Sequence, residues 1–200
     1  ESFIDELAVA AGRDTYEYRR DLLADAPRFR AVLDLAAEKA GWGEDLPDNM
    51  GRGIAIHRSF GTIVAQVVDV EIVDGKPRAR RVVCAVDPGY AVHPDNLAAQ
   101  MESGIAYGLT AALYGEISIS GGAVRQSNFH DYRMLRMDEA PDIDTYIING
   151  GGVTGGAGEP GTPPIAPAFT NAIFDATGIR IRELPVSKHE LRLKDVEDVA

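Results

Sequence analysis

Apolar residues between Ser2 and Ala40 recur at helical spacing in three stretches. In "SFIDELAVAAG" Ser2 is the expected N-cap, acids fill the first turn and Gly12 ends the element. "DTYEYRRDLLAD" follows with Asp14 as cap, and Pro27 opens a third helix, "PRFRAVLDLAAEKAGWG". Phe29, Val32, Leu33, Ala36, Ala37 and Ala40 make its apolar face. "GEDLPDNMGRG" is polar and rich in turn formers. It is the expected boundary between a helical segment, 1–50, and an α+β unit, 51–200.

From Ile54 the period changes. "GIAIHRSFGTIVAQVVDVEIVDG" is dense in β-branched residues, with Ile63, Ala65, Val67, Asp69 and Glu71 in one register and Val64, Val68, Val70 and Ile72 in the other. "DGKP" predicts a turn and "RARRVVCAVD" a returning, buried strand. The longest helix is expected from Pro94 to Gly115, and "EISISGGAVRQSNF" predicts a hairpin with Gly121-Gly122 at its tip. "DIDTYIIN" reads as a strand, "PAFTNAIFDATG" as a helix closed by Gly178, and "IRIRELPVS" as a last short strand. Strands and helices without strict βαβ alternation predict an α+β fold, a two-layer packing of helices on sheet.

The 200 residues carry a formal charge of −11. That balance argues against a nucleic-acid surface, because phosphate contacts need clustered Lys and Arg. The densest basic cluster, Arg78 to Arg81, precedes an apolar run and reads as a solvated strand start. Cys84 is the single cysteine, which excludes an intramolecular disulfide and a multi-cysteine metal or iron–sulfur site. Inside "VVCAV" it reads as a packing residue. His57, His93, His130 and His189 lack ligand spacing, and His130 with Asp131 reads as an ordinary hydrogen-bonded pair. No run approaches the roughly 18 apolar residues of a membrane helix, and no signal peptide is visible. The chain opens without Met and already in a helical pattern, so it reads as a piece of a longer protein whose compartment stays open.

Two segments carry candidate chemistry. "GGGVTGGAGEPGTPPIAP", 150–167, sets one carboxylate, Glu159, among seven glycines. Gly150, Gly152 and Gly155 formally satisfy G-x-G-x-x-G, but the next helix is expected too late to cap a pyrophosphate. Bare backbone also lets main-chain N–H groups approach a bulky ligand, and a carboxylate held there would serve as a general base. A surface turn with a solvated Glu has the same composition. The second segment is the long helix. Leu97, Met101, Ile105, Leu109 and Leu113 make a core stripe, while Gln100, Ser103, Gly104, Tyr107, Gly108 and Ala111 make a face of small or hydrogen-bonding residues. Close helix–sheet packing and a ligand face both explain it.

"AVDPGYAVHPDNLAAQMESGIAYGL" and "GGAGEPGTPPIAPAFTNAIFDATGIRIRELPV" together resemble the C-terminal part of molybdenum hydroxylase large subunits. This is the family of xanthine dehydrogenase and aldehyde oxidoreductase, and within it the resemblance is to β subunits of the isoquinoline 1-oxidoreductase type. It extends to "ESFIDELA", "AVLDLAAEKAGWG" and "SNFHDYRMLRMDEAPDI". The resemblance implies a molybdopterin cofactor-binding domain, a fragment of a larger subunit, with a molybdenum–molybdopterin cofactor in the cytosine dinucleotide form. It also implies an iron–sulfur small subunit and the remainder of the large subunit as partners, and a metal held by the pterin.

By the same resemblance, Glu159 in "GAGEP" takes the position of the catalytic base, which accepts a proton from a molybdenum-bound hydroxide. Gln100 matches a glutamine that hydrogen-bonds near the cofactor, and Gly155, Gly156, Ala157 and Gly158 the wall beside the metal. The implied activity is hydroxylation of N-heteroaromatic compounds or oxidation of aldehydes, with water as oxygen source. The sequence departs from the family at His93, often Asn there, and at Ser103, often a second Gly. A Met-Gly-Gln-Gly type loop of the family is not found, so the cofactor site is expected to be incomplete and the fragment inactive alone. A non-catalytic scaffold that keeps only the fold is the alternative, and a nucleotide-binding module using the glycine run is a third reading.

Overall fold

The structure is a computed structural model that describes residues 1–194; the end of the expected 51–200 unit, 195–200, lies outside the described residues. Three helices come first: α1 (Ser2–Ala10), α2 (Thr15–Leu22) and α3 (Pro27–Ala40). Asp14 caps α2 by accepting from the Tyr16 and Glu17 N–H groups, and Pro27 occupies the first turn of α3, as the sequence predicts. Ser2 does not cap α1. It lies inside the first turn, and its hydroxyl meets that of Thr170, 3.3 Å away.

β1 (Met50–Ser59) and β2 (Thr62–Val73) form a hairpin whose tight turn is Phe60-Gly61, both at positive φ, which matches the right-handed twist of the strands. β3 (Lys76–Asp87) returns antiparallel after Asp74-Gly75. α4 (Pro94–Tyr114) and the small hairpin β4 (Ile119–Ser120) and β5 (Ala123–Val124) follow. β6 (Asp142–Ile147) then pairs parallel to β3, giving a mixed sheet of order β1-β2-β3-β6.

Strand alternation sends two apolar sets to opposite faces. Ala55, Val64, Val68, Val70, Val82, Cys84 and Val86 pack under α4 and α5 (Thr162–Thr177). Ile54, Ile56, Ile63, Ala65, Val67, Val83 and Ala85 pack against α3. The α+β architecture therefore has helices over both faces, and α3 shares a core with the sheet. α1 packs on α5 and α2 on α3, so this pair links the two helical layers.

Side chains of α5 close the free edge of β1: the Arg52 N–H donates to Asp175 at 2.9 Å and Asn171 donates to the Ile54 carbonyl at 3.2 Å. Such capping blunts an edge that would otherwise pair with other chains.

Two further expectations fail. α5 begins at Thr162 rather than Pro167, because Pro163 and Pro164 sit in its first turn, where a missing N–H leaves no internal bond unmade. "IRIRELPVS" forms no strand. Its Ile/Arg alternation serves another purpose: Ile179 and Ile181 pack on the core, while Arg180 pairs with Asp5 and Arg182 with Glu6 on α1.

Candidate functional site

Because β3 and β6 run parallel, both end on the same side of the sheet as the β1–β2 turn. Three loops therefore meet there: Phe60-Gly61, the segment from Asp87 to His93, and the glycine run. The run is tied down along its length. Gly151 N–H donates to Gly89 O (2.8 Å), Gly155 N–H to Pro88 O (2.7 Å) and Gly156 N–H to Phe60 O (2.8 Å). Thr62 Oγ1 donates to Gly156 O at 2.6 Å, and Ala91 N–H to Asn149 Oδ1 at 3.0 Å.

Asp87 anchors this cluster, and the sequence reading missed it. Its carboxylate is 1% exposed and accepts from Arg28 Nε at 2.9 Å and Gly89 N–H at 2.8 Å, with Gly150 N–H a further donor. Burial pushes the carboxyl upward, but the Arg28 guanidinium and the two N–H groups outweigh it and hold Asp87 below the usual carboxylate range. The signal was an acid at the end of an apolar strand, just before Pro-Gly.

The structure separates the expected wall residues. A Cβ on Gly155 would stand 2.5 Å from Thr62 Oγ1 and 2.9 Å from Phe60 O, and one on Gly156 2.9 Å from Phe60 Cβ. These two glycines dock the run on the β1–β2 turn. Ala157 packs against the core beneath. Gly158 differs: the one atom near its Cβ direction is Gln100 Oε1, at 3.8 Å. Gln100, half-buried on the second turn of α4, thus borders open space beside Gly158 and next to Glu159. Glu159 is exposed, and among the described residues its carboxylate has no hydrogen-bond or ion-pair partner.

The small-residue face of α4 has a split use. Gly104 and Gly108 take the N-terminal turn of α5: added Cβ atoms would lie 3.2 Å from Gly161 Cα and 2.8 Å from Thr162 O, and the latter would overlap Ile165 Cγ2. Thr162 Oγ1 also donates to Gly104 O at 3.2 Å. This is helix–helix contact, not the helix–sheet packing considered above. Ser103 and Tyr107 remain exposed. The departure at His93 is locally neutral, since its Nδ1 accepts from the Asn96 N–H at 3.1 Å and caps α4 as an Asn would.

Other sequence candidates fall away from this place. His130 lies 3.6 Å from Asp131 on an exposed loop, and backbone N–H groups of Asn128 and Ser127 hold the Asp131 carboxyl low. Arg78 donates to Asp138 O, Arg80 pairs with Glu71 and Arg81 with Asp144, so the basic cluster is a paired strand surface. The dinucleotide reading also fails on geometry: Gly155 does not open a helix but docks on the β1–β2 turn. Among the described residues no group of three or more His, Cys, Asp or Glu could hold a metal ion. None of their helices is long and apolar enough to cross a membrane.

Fold and loops together define an α+β domain that presents one free carboxylate and one amide over bare backbone, at the carboxyl ends of two parallel strands. The chain belongs to the molybdopterin cofactor-binding domain family, whose model matches residues 13–141. It is 35% identical over 191 residues to the β subunit of isoquinoline 1-oxidoreductase from Brevundimonas diminuta, covering 93% of this chain and 24% of that one. To a nicotinate dehydrogenase subunit of Pseudomonas putida it is 34% identical, over 96% of this chain and 18% of the relative. The chain thus spans at most 24% of the length of these relatives. Quinoline 2-oxidoreductase from Pseudomonas putida 86 superposes with a TM-score of 0.54 at 21% identity, over 62% of this chain and 17% of that structure. That likeness shows a shared fold.

The residues at the loop cluster fit a pterin-held metal. Gly158 leaves room for a ligand edge, Gln100 offers a donor and an acceptor to it, and Glu159 brings a carboxylate not committed elsewhere among the described residues.

Proposed function

We propose that this chain is the C-terminal cofactor-binding part of the large subunit of a molybdenum-dependent oxidoreductase. The full enzyme hydroxylates N-heteroaromatic compounds of the isoquinoline kind or oxidises aldehydes, taking oxygen from water. Its cofactor is molybdenum–molybdopterin in the cytosine dinucleotide form, and an iron–sulfur small subunit carries electrons away. When bound, the cofactor supplies the two-electron redox change and the activation of water.

The residues of this chain do the rest on their side of the site. Gln100 hydrogen-bonds the cofactor edge and Gly158 lets it come close. Glu159 takes a proton on its carboxylate as the bond to substrate forms, acting as general base. Gly155, Gly156 and Ala157 frame the approach by fixing the loop to the β1–β2 turn and the core. The observation that carries this reading is the meeting of Gly158 with the Gln100 amide, next to an uncommitted Glu159 carboxylate.

Replacing Glu159 by Gln in the full-length holoenzyme tests it. Steady-state turnover should fall by two or more orders of magnitude, in the range of about 10²–10⁴ typical of a general base, while molybdenum content is retained. Unchanged turnover would remove the base assignment and leave the scaffold reading.

A further inference from the structure

The turn that carries Glu159 is held from beneath by a buried amide. Gln66 lies in the middle of β2, 0% exposed, on the face that packs under α4 and α5. Its Nε2 donates to the Gly161 carbonyl at 2.8 Å. Gly161 is the third residue of a turn from Glu159 to Thr162, closed by the Thr162 N–H donating to Glu159 O at 2.9 Å. Pro160 at the second position fixes φ there. On its other side Gly161 rests on α4, where an added Cβ would stand 2.9 Å from Met101 O. Sheet and helix thus grip the same residue, two positions from the carboxylate.

Among the described residues the Gln66 amide is the donor to the Gly161 carbonyl, whereas at the starts of α1 to α4 the corresponding carbonyl accepts from the N–H four positions on. Gln66 Oε1, meanwhile, is buried without a hydrogen-bond partner among the described residues. An unpaired buried amide oxygen is a cost to folding that a Met of similar length would avoid. Beside a long contact from Nε2 to Cys84 Sγ at 4.0 Å, the bond to the turn is what the amide adds.

We infer that Gln66 is a positioning residue for the Glu159 carboxylate, acting through the Gly161 carbonyl. This rests on the base reading of Glu159. Without the bond, the turn loses its fixed height above the sheet and the carboxylate its fixed distance from whatever lies beside Gly158 and Gln100. Misplacement of a reacting group by about 1 Å costs on the order of 100-fold in rate.

The test is Gln66→Met in the assembled holoenzyme, with Gln66→Leu as a second variant and Glu159→Gln alongside. The expected result is a drop in kcat of about 10–100-fold with little change in KM. Molybdenum content and Tm are kept, and hydrogen exchange at the Thr162 amide speeds up while amides of β2 do not change. Wild-type kcat with unchanged Thr162 exchange would overturn the inference. So would faster exchange across the whole sheet, or failure of both variants to fold, since each would mark a purely structural role. If Glu159→Gln keeps full turnover, the base reading fails, and the Thr162 amide still reports whether Gln66 holds the turn.

Discussion

Arg28 on α3 donates to the buried carboxylate of Asp87 at 2.9 Å, and so joins the helix on one face of the sheet to the loops at its end. Asp87 passes that anchorage to Gly89 and Gly150, the entrances of the two loops that meet at the site. Asp87→Asn would set an amide N–H against these donors and should destabilise the domain by about 1–3 kcal/mol in chemical denaturation. Because its pKa is lowered in the folded state, the stabilisation is fully present above the unfolded value, near 3.9, and is lost as pH falls through the lower folded value. Loosening of residues 149–155 by acid should therefore begin below about pH 4 and be absent in Asp87→Asn, as followed by hydrogen exchange.

The contact between α4 and α5 makes an unequal pair of predictions. A methyl on Gly104 meets atoms at 3.2 Å, and the helix propensity gained, about 1 kcal/mol, roughly offsets the crowding. A methyl on Gly108 would overlap Ile165 Cγ2 and stand 2.8 Å from the Thr162 carbonyl. Gly108→Ala should cost about 1–3 kcal/mol, a fall in Tm of roughly 2–10 °C, while Gly104→Ala stays near wild type. Equal Tm values would contradict the packing described.

Cys84 is 0% exposed, and burial pushes its thiol up to about 12 against a smaller opposing pull from the Gln66 amide. At pH 8 a thiol reagent should label the native protein about a thousandfold or more slowly than a free cysteine, and at the ordinary rate once denaturant is added.

At the head of α4, His93→Asn should hold stability to within about 0.5 kcal/mol, since Asn is a strong cap, whereas His93→Ala should lose about 1 kcal/mol. Thermal melts of the two variants separate these outcomes, and an Ala variant as stable as wild type would remove the cap.

Much of the fold was legible because local chemistry dictated it. The Asp14 cap, Pro27, the Asp74-Gly75 turn and the two registers of β2 act over a few residues, and the chain obeys them. Errors arose where distant partners decided. Ile179 to Arg182 alternates like a strand, yet Asp5 and Glu6, far earlier in the chain, claim its arginines. The helix expected from Pro167 begins at Thr162, because the first turn of a helix tolerates the pair Pro163-Pro164.

In the site, the sequence singled out Glu159 and Gln100, and the structure sets Gln100 Oε1 3.8 Å from where a Cβ on Gly158 would stand. The separate uses of Gly155 and Gly158 were not legible, because a glycine has no side chain to say which neighbour it was cleared for. Asp87 and Gln66 both fell in stretches read as strands, and only the folded chain, which brings Gly89 and Gly161 to them, reveals what they hold.

The most direct measurement isolates the step in which substrate reduces the cofactor. Anaerobic stopped-flow mixing of molybdenum-replete holoenzyme with excess substrate, wild type against Glu159→Gln, reads that step apart from reoxidation. A general base at Glu159 predicts a rate constant lower by about 10²–10⁴ in the variant at equal metal content. Equal rate constants would mean that the Glu159 carboxylate takes no proton in that step.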